Sequence, residues 1–211
     1  VARQGGWSLD DYWRPEHPSQ AAARSAVARC FGVLPDDLVT AGDDCGVQTY
    51  AFSLFEVARA YALLADPRGA ARDAAQAALV EPLTRVRDAM LAAPDLVGGA
   101  RDSLTTGLMK AGAGRIVSKS GAESLEGVGL VPSGGSDVVS GGLAAKIDDG
   151  DGRGRALGPV VISALAQIGV LDERAQRSLS AHARPILRDA HGDAVAQAMP
   201  VFELAPLGEL V

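Results

Sequence analysis

The stretch Arg115–Leu130, RIVSKSGAESLEGVGL, is followed after a Gly/Ser-rich break by Gly141–Arg155, GGLAAKIDDGDGRGR. Their reading decides the fold. They hold Lys119 and Lys146, while the only other lysine is Lys110; the remaining basic residues are arginine. Arg115-Ile116-Val117-Ser118-Lys119 and Leu143-Ala144-Ala145-Lys146-Ile147 alternate with period two, which predicts two half-buried strands, each with a lysine near its end. A lysine on an edge strand discourages sheet-to-sheet association. A lysine in a site exploits a pKa that moves readily on burial. Both readings stand at this point.

Working outward, the segment Val131 to Gly142 (VPSGGSDVVSGG) predicts a flexible insertion between the strands. Asp148 to Gly152 predicts an acidic turn, because neither phase of the run supplies both the Gly and the Glu of a calcium loop. Helices are expected over about Pro18–Phe31, ended by Gly32, and from Ser53 as N-cap through Leu54, Val57, Ala58, Tyr61 and Leu64. Another spans about Ala71 to Ala92, kinked or divided at Pro82. A short helix covers Ser103 to Ala111, and an apolar one Ala156 to Val170. Leu171 to Ala183 adds a further helix, and Val195 to Leu204 includes a last short strand. Leu34 to Gly46 (LPDDLVTAGDDCG) reads as a polar loop holding a candidate site. With no domain boundary visible, residues 1–211 are expected to form one α+β domain, a small, mostly antiparallel sheet with helices beside it.

Bulk properties narrow the function. A net charge of −6 with no basic stripe argues against nucleic acid as partner. No apolar run approaches the ~20 residues that span a bilayer, and the polar N-terminus is no signal peptide. Two cysteines, Cys30 and Cys45, make no disulfide framework, so a reduced, cytoplasmic setting is expected. His17, His182 and His191 lie far apart and read as structural or surface residues. Cys30 belongs to an apolar helix face, whereas Cys45 lies in a Gly-flanked loop beside Asp43 and Asp44. That loop is either an ordinary turn or a site. No Ser stands three residues before any lysine; those positions are Gly107, Ile116 and Leu143.

Six stretches, in order, resemble the asparaginase II family, the Rhizobium and actinobacterial type of L-asparaginase. They are GWSLDDYWRPEHPSQ (6–20), DDCGVQTYA (43–51), Leu54 to Ala65, AMLAAPDLVGGARDSLTTGLM (89–109), KSGAE (119–123) and GLAAKIDDGDGRGR (142–155). The resemblance implies a fold like serine β-lactamases and glutaminases, and hydrolysis of the L-asparagine side-chain amide to aspartate and ammonia. It implies Lys146 and Asp43 as catalytic groups, and Glu123, Lys119 and Thr106 as substrate-binding residues. Cys45 is implied as a metal ligand, with zinc as the cofactor. The expected partner is a small amide, with a homodimer as one assembly open to the chain.

The sequence also departs from the family pattern. Its Ser-x-x-Lys and CSGKH segments are absent from these 211 residues, which implies a C-terminal portion incomplete for catalysis. Asp44 stands for the usual Gly and Gln48 for the usual Pro. Thr105-Thr106 replaces an Asp-Thr pair, and Glu126 replaces a frequent cysteine. The alternatives are a non-catalytic paralogue that binds an amino acid or a protein partner, and a scaffolding domain with no ligand.

Overall fold

A computed structural model describes residues 1–132, 140–152 and 154–206. Helix α1 (Pro18–Phe31) starts at His17, whose ring accepts from the Ser19 amide, and stops at Gly32 in the left-handed region. A 3₁₀ turn (Pro35–Asp37) precedes strands β1 (Thr40–Gly42) and β2 (Gln48–Tyr50). Helix α2 (Leu54–Ala65) opens on a capping box, with the Glu56 carboxylate accepting from the Ser53 amide at 2.8 Å and the Ser53 hydroxyl accepting from Glu56 N–H.

The alanine-rich region divides into α3 (Ala74–Ala77) and α4 (Val80–Ala92). Pro82 is the cause, since its ring would clash with the carbonyl of residue 78 in a continuous helix; the proline is instead accommodated in the first turn of α4. Helices α5 (Pro94–Gly98) and α6 (Leu104–Ala111) lead into β3 (Ile116–Gly121), β4 (Leu125–Leu130) and β5 (Gly141–Lys146). The expected insertion falls largely on residues 133–139, outside the described residues; its last two glycines already belong to β5. Helices α7 (Leu157–Gln167), α8 (Glu173–Ser178) and α9 (Ser180–Ala183) follow, then the hairpin β6 (Ile186–Arg188) and β7 (Ala194–Gln197). The architecture is α+β, with antiparallel strands throughout the described sheets.

The main sheet has the order β3-β4-β5. Its two faces are built differently. On one face Gly127, Gly129 and Gly142 present no side chains, and α2 lies directly on the bare backbone. A Cβ at Gly127 would overlap the Tyr61 ring, and one at Gly142 would overlap the Ala58 carbonyl. The other face is the core, where Ile116, Val128 and Leu130 meet Leu108 of α6 and Val161, Ile162 and Leu165 of α7. Burying about 25 cal/mol per Å² of such surface is the main stabilisation available to the fold. Because helices cover both faces, Ile116, Val117 and Ser118 are all buried and the expected alternation is lost. The two lysine strands are not neighbours, since β4 separates them.

Candidate functional site

The register gathers part of the expected site at one end of the main sheet. Leu125 of β4 stands opposite Gly121 of β3 on one side and Lys146 of β5 on the other. The residues between Gly121 and Leu125 form the β3–β4 turn, in which Glu123 (φ 56°) and Ser124 (φ 52°) are both left-handed. Two consecutive non-glycine residues in that region are costly, and such strain persists only where the surroundings enforce it. Three bonds do so here. The Lys146 ammonium donates to the Glu123 carbonyl at 2.5 Å, the Ile147 amide to the Ser124 carbonyl at 3.1 Å, and the Ser124 hydroxyl to the Gly150 carbonyl at 2.8 Å.

The Glu123 carboxylate lies against Gly150, in a space that a Cβ there would fill. Thus the acidic turn after β5 backs the turn that carries Glu123. Lys119 is exposed two residues before the end of β3, and its ammonium donates to the Ser120 carbonyl at 2.7 Å. Lys119, Glu123 and Lys146 therefore share one rim of the sheet. Lys146 spends a hydrogen bond on backbone there, so it holds the turn in shape as well as placing a positive charge beside Glu123.

Thr106 has a different position from the one expected of a substrate-binding residue. It is buried, and its hydroxyl lies 2.7 Å from the Gly99 carbonyl and 3.2 Å from that of Pro94, tying the loop before α6 to the helix. Its neighbour Thr105 is the one that reaches the sheet, placing its hydroxyl 2.8 Å from Glu126 Oε1. Two departures from the family pattern, separated by 21 positions, are thus in contact. Ser118 Oγ approaches the same oxygen at 2.5 Å.

Glu126 is fully buried, and its Oε2 has no hydrogen-bond partner. Burial pushes its carboxyl above the ordinary glutamate value; the Ser118 and Thr105 hydroxyls and the Lys119 charge pull the other way without cancelling it. Tyr61, on the far face of β4, is pushed up to about 12 by burial and, at the high pH where it titrates, by the ionised Glu126 carboxylate. The sequence carried a signal for this cluster, namely one charged residue in the otherwise apolar and glycine-alternating strand LEGVGL.

Asp43 and Cys45 stand on the separate hairpin β1–β2. The sequence read as a loop here; the structure forms two short paired strands, because Thr40 and Tyr50 are brought opposite by a turn closed from Asp43 to Val47. At its tip, Cys45 Sγ lies 3.9 Å from Asp43 Oδ2, the Asp44 amide donates to Asp43 Oδ1, and Gly46 adopts φ 81° beside the Trp13 indole. Cys45 and Asp43 are exposed. A thiolate and a carboxylate are acceptable zinc donors, but a tetrahedral site needs four. Among the described residues no group of three His, Cys, Asp or Glu side chains could hold a metal ion. These residues do not fit zinc by themselves. His17 is structural: its Nδ1 caps α1 while Nε2 donates to the Ser8 carbonyl at 3.0 Å.

A family model described as L-asparaginase II matches residues 1–200. The chain belongs to the L-asparaginase II family. No curated protein matches it in sequence. Within this asparaginase II chain, the family match spans both the hairpin with Asp43 and Cys45 and the sheet rim with Lys119, Glu123 and Lys146. Among the described residues no helix is long and apolar enough to cross a membrane.

Proposed function

We propose that this chain recognises the substrate of an asparaginase-type amidohydrolase reaction, L-asparagine or a close amide. The observation that supports this is the family match across residues 1–200, together with a sheet end on which Glu123, in an enforced left-handed turn, stands beside Lys146, with Lys119 on the strand leading into that turn. A small amino-acid amide presents an ammonium, a carboxylate and a neutral amide. Glu123 suits the ammonium, and Lys119 the carboxylate. Lys146, beside Glu123, supplies positive charge toward the oxyanion that develops at the amide carbonyl. Asp43 would serve as the acid of the hairpin, with the Cys45 thiol beside it. Thr106 contributes by holding the loop beneath the rim.

Amide hydrolysis also requires a nucleophile paired with a base, and no Ser-x-x-Lys motif occurs in these 211 residues. The expected result is that the purified chain releases no ammonia from L-asparagine but binds L-asparagine or L-aspartate in calorimetry, and that Glu123→Gln abolishes this heat. Ammonia release by the chain alone would overturn the incomplete-catalysis reading. Absence of binding to asparagine, aspartate and glutamine would overturn the substrate-recognition reading. Binding without turnover even after a segment bearing Ser-x-x-Lys and CSGKH is supplied in trans would favour the second reading, a non-catalytic paralogue. The engagement of Lys146 with a backbone carbonyl gives that reading its support.

A further inference from the structure

The cluster around Glu126 is a continuous series of hydrogen bonds whose direction turns on the Ser118 hydroxyl, which lies within reach of two acceptors. The Ser120 amide donates to Thr105 Oγ1 at 3.1 Å. Thr105 Oγ1 lies 2.8 Å from Glu126 Oε1, Ser118 Oγ lies 2.5 Å from that oxygen, and Ser118 Oγ also lies 3.1 Å from the Gly127 carbonyl. A hydroxyl donates one proton. If Ser118 donates to Gly127, the proton between Ser118 and Glu126 must come from the carboxyl. The sequence of donors then runs from Ser120 N–H to Thr105 O–H, to Glu126 Oε1–H, to Ser118 O–H, and ends on the Gly127 carbonyl. Thr105 Oγ1, Glu126 Oε1 and Ser118 Oγ then each donate once and accept once, and this arrangement requires a neutral carboxyl.

An ionised Glu126 would instead take protons from both hydroxyls on one oxygen. It would leave the other oxygen charged, buried and without a donor, the expensive alternative. We propose that Glu126 is a positioning residue that, as a neutral acid, ties helix α6 through Thr105 to the outward-facing Ser120 amide of β3, and so fixes the strand end that carries Lys119 and Glu123. The bond to Ser120 matters because β3 ends the order β3-β4-β5, so that this amide points away from β4.

Few charges compete for this position. From β3 only Lys119 acts on it, and its ammonium is turned to the Ser120 carbonyl. From α2 the titratable groups are Glu56, Arg59 and Tyr61, of which Glu56 is bonded to Ser53. From α6 there is only Lys110, paired with Asp95 at 2.7 Å, and from β5 only Lys146, which is on the Glu123 carbonyl. Helix α7 carries no titratable side chain.

The inference deepens the proposed site and rests on it only for the meaning of the rim. The test reads the chain itself, by NMR on the full 211-residue protein with labelled carboxyls and amides. The Glu126 carboxyl is expected to titrate above the ordinary glutamate value of about 4.3, and the Ser120 amide shift to follow with the same midpoint. Glu126→Gln, whose side chain is neutral at every pH, should remove the pH dependence of the Ser120 amide shift and keep that amide protected from exchange. Thr105→Val should leave Glu126 titrating while the Ser120 amide stops responding and exchanges severalfold faster. A merely space-filling Glu126 would move neither signal. A Glu126 already ionised where other glutamates are, or a Ser120 response that survives Thr105→Val, overturns the proposal. None of these readings requires turnover or ligand, so failure of the asparagine-binding reading leaves them standing, and the reverse holds as well.

Discussion

Replacing Asp151 with alanine should be among the most destabilising single changes in the chain. Its side chain is fully buried at the entrance to α7 and gathers three consecutive amides. Oδ1 accepts from Arg155 at 2.9 Å, and Oδ2 accepts from Ala156 at 2.7 Å and Leu157 at 3.1 Å. The formal cap, Ala156, supplies no side-chain bond, so Asp151 does that work from five residues upstream of Ala156 and alone satisfies the start of the most apolar helix. Hydrogen bonds to a charged group contribute ~1.5–3 kcal/mol each. Three that share one carboxylate are not additive, and water can reach part of the exposed turn, so the loss should be about 3–5 kcal/mol, out of a total of roughly 5–15 kcal/mol for a domain.

Urea denaturation at neutral pH should show the midpoint falling with an unchanged slope. Asp151→Asn, which retains an acceptor without the charge, should fall between. Burial pushes the Asp151 carboxyl up, but the amides of Ala156, Arg155 and Leu157 and the Arg155 guanidinium outweigh it and hold the pKa below the usual aspartate range. A depressed folded pKa contributes stability that is present above the unfolded value of about 3.9 and is lost as pH falls through the folded one. Wild type and Asp151→Ala should therefore converge in acid. A neutral-pH difference under about 1 kcal/mol, or one that does not narrow on acidification, would refute the reasoning.

Two further outcomes follow from the packing. Gly127→Ala should cost about 1–3 kcal/mol and lower the melting temperature, because its methyl overlaps the Tyr61 ring; combined with Tyr61→Leu it should cost less than the sum of the two changes, and an unchanged melting temperature would mean that α2 does not rest on β4. A thiol reagent should find two classes of cysteine at neutral pH: Cys45, exposed on the hairpin tip, reacts first, and Cys45→Ser removes that phase, while Cys30 reacts slowly because burial raises its thiol pKa more than Arg29 lowers it.

What was legible in the sequence was local. Gly32 ends α1 and Ser53 caps α2, because each of these signals lies within four residues of the bond it makes. Strand β4 escaped a reading based on alternation. Its glycines lower strand propensity, its charged Glu126 mimics a solvated position, and burial on both faces erases the period of two. The hairpin β1–β2 escaped for the opposite reason, since its strands are three residues long and largely exposed, with no apolar face to reveal them. The placement of Lys119 and Lys146 near strand ends could be read, but not the strand between them. Nor could spacing reveal that Thr105 rather than Thr106 faces the sheet, because on a helix adjacent residues point about 100° apart and only the docking angle of α6 chooses between them.

The alternation within β4 explains how one strand serves two purposes. Its odd-numbered glycines, 127 and 129, let α2 descend onto the sheet, and that approach brings the Tyr61 hydroxyl to 3.4 Å from the Lys119 carbonyl. Its even-numbered residues, Glu126, Val128 and Leu130, point the other way, where the apolar pair enters the core with α6 and α7 and Glu126 engages α6 through Thr105. The end of β3 is therefore held from both sides, by Tyr61 at the Lys119 carbonyl and by Thr105 at the Ser120 amide. Beyond it the turn is held by Lys146 and Gly150. Five residues of an edge strand and its turn, exposed in their side chains, are thus fixed through their backbone, which is the arrangement expected where side chains must meet a ligand from a rigid support.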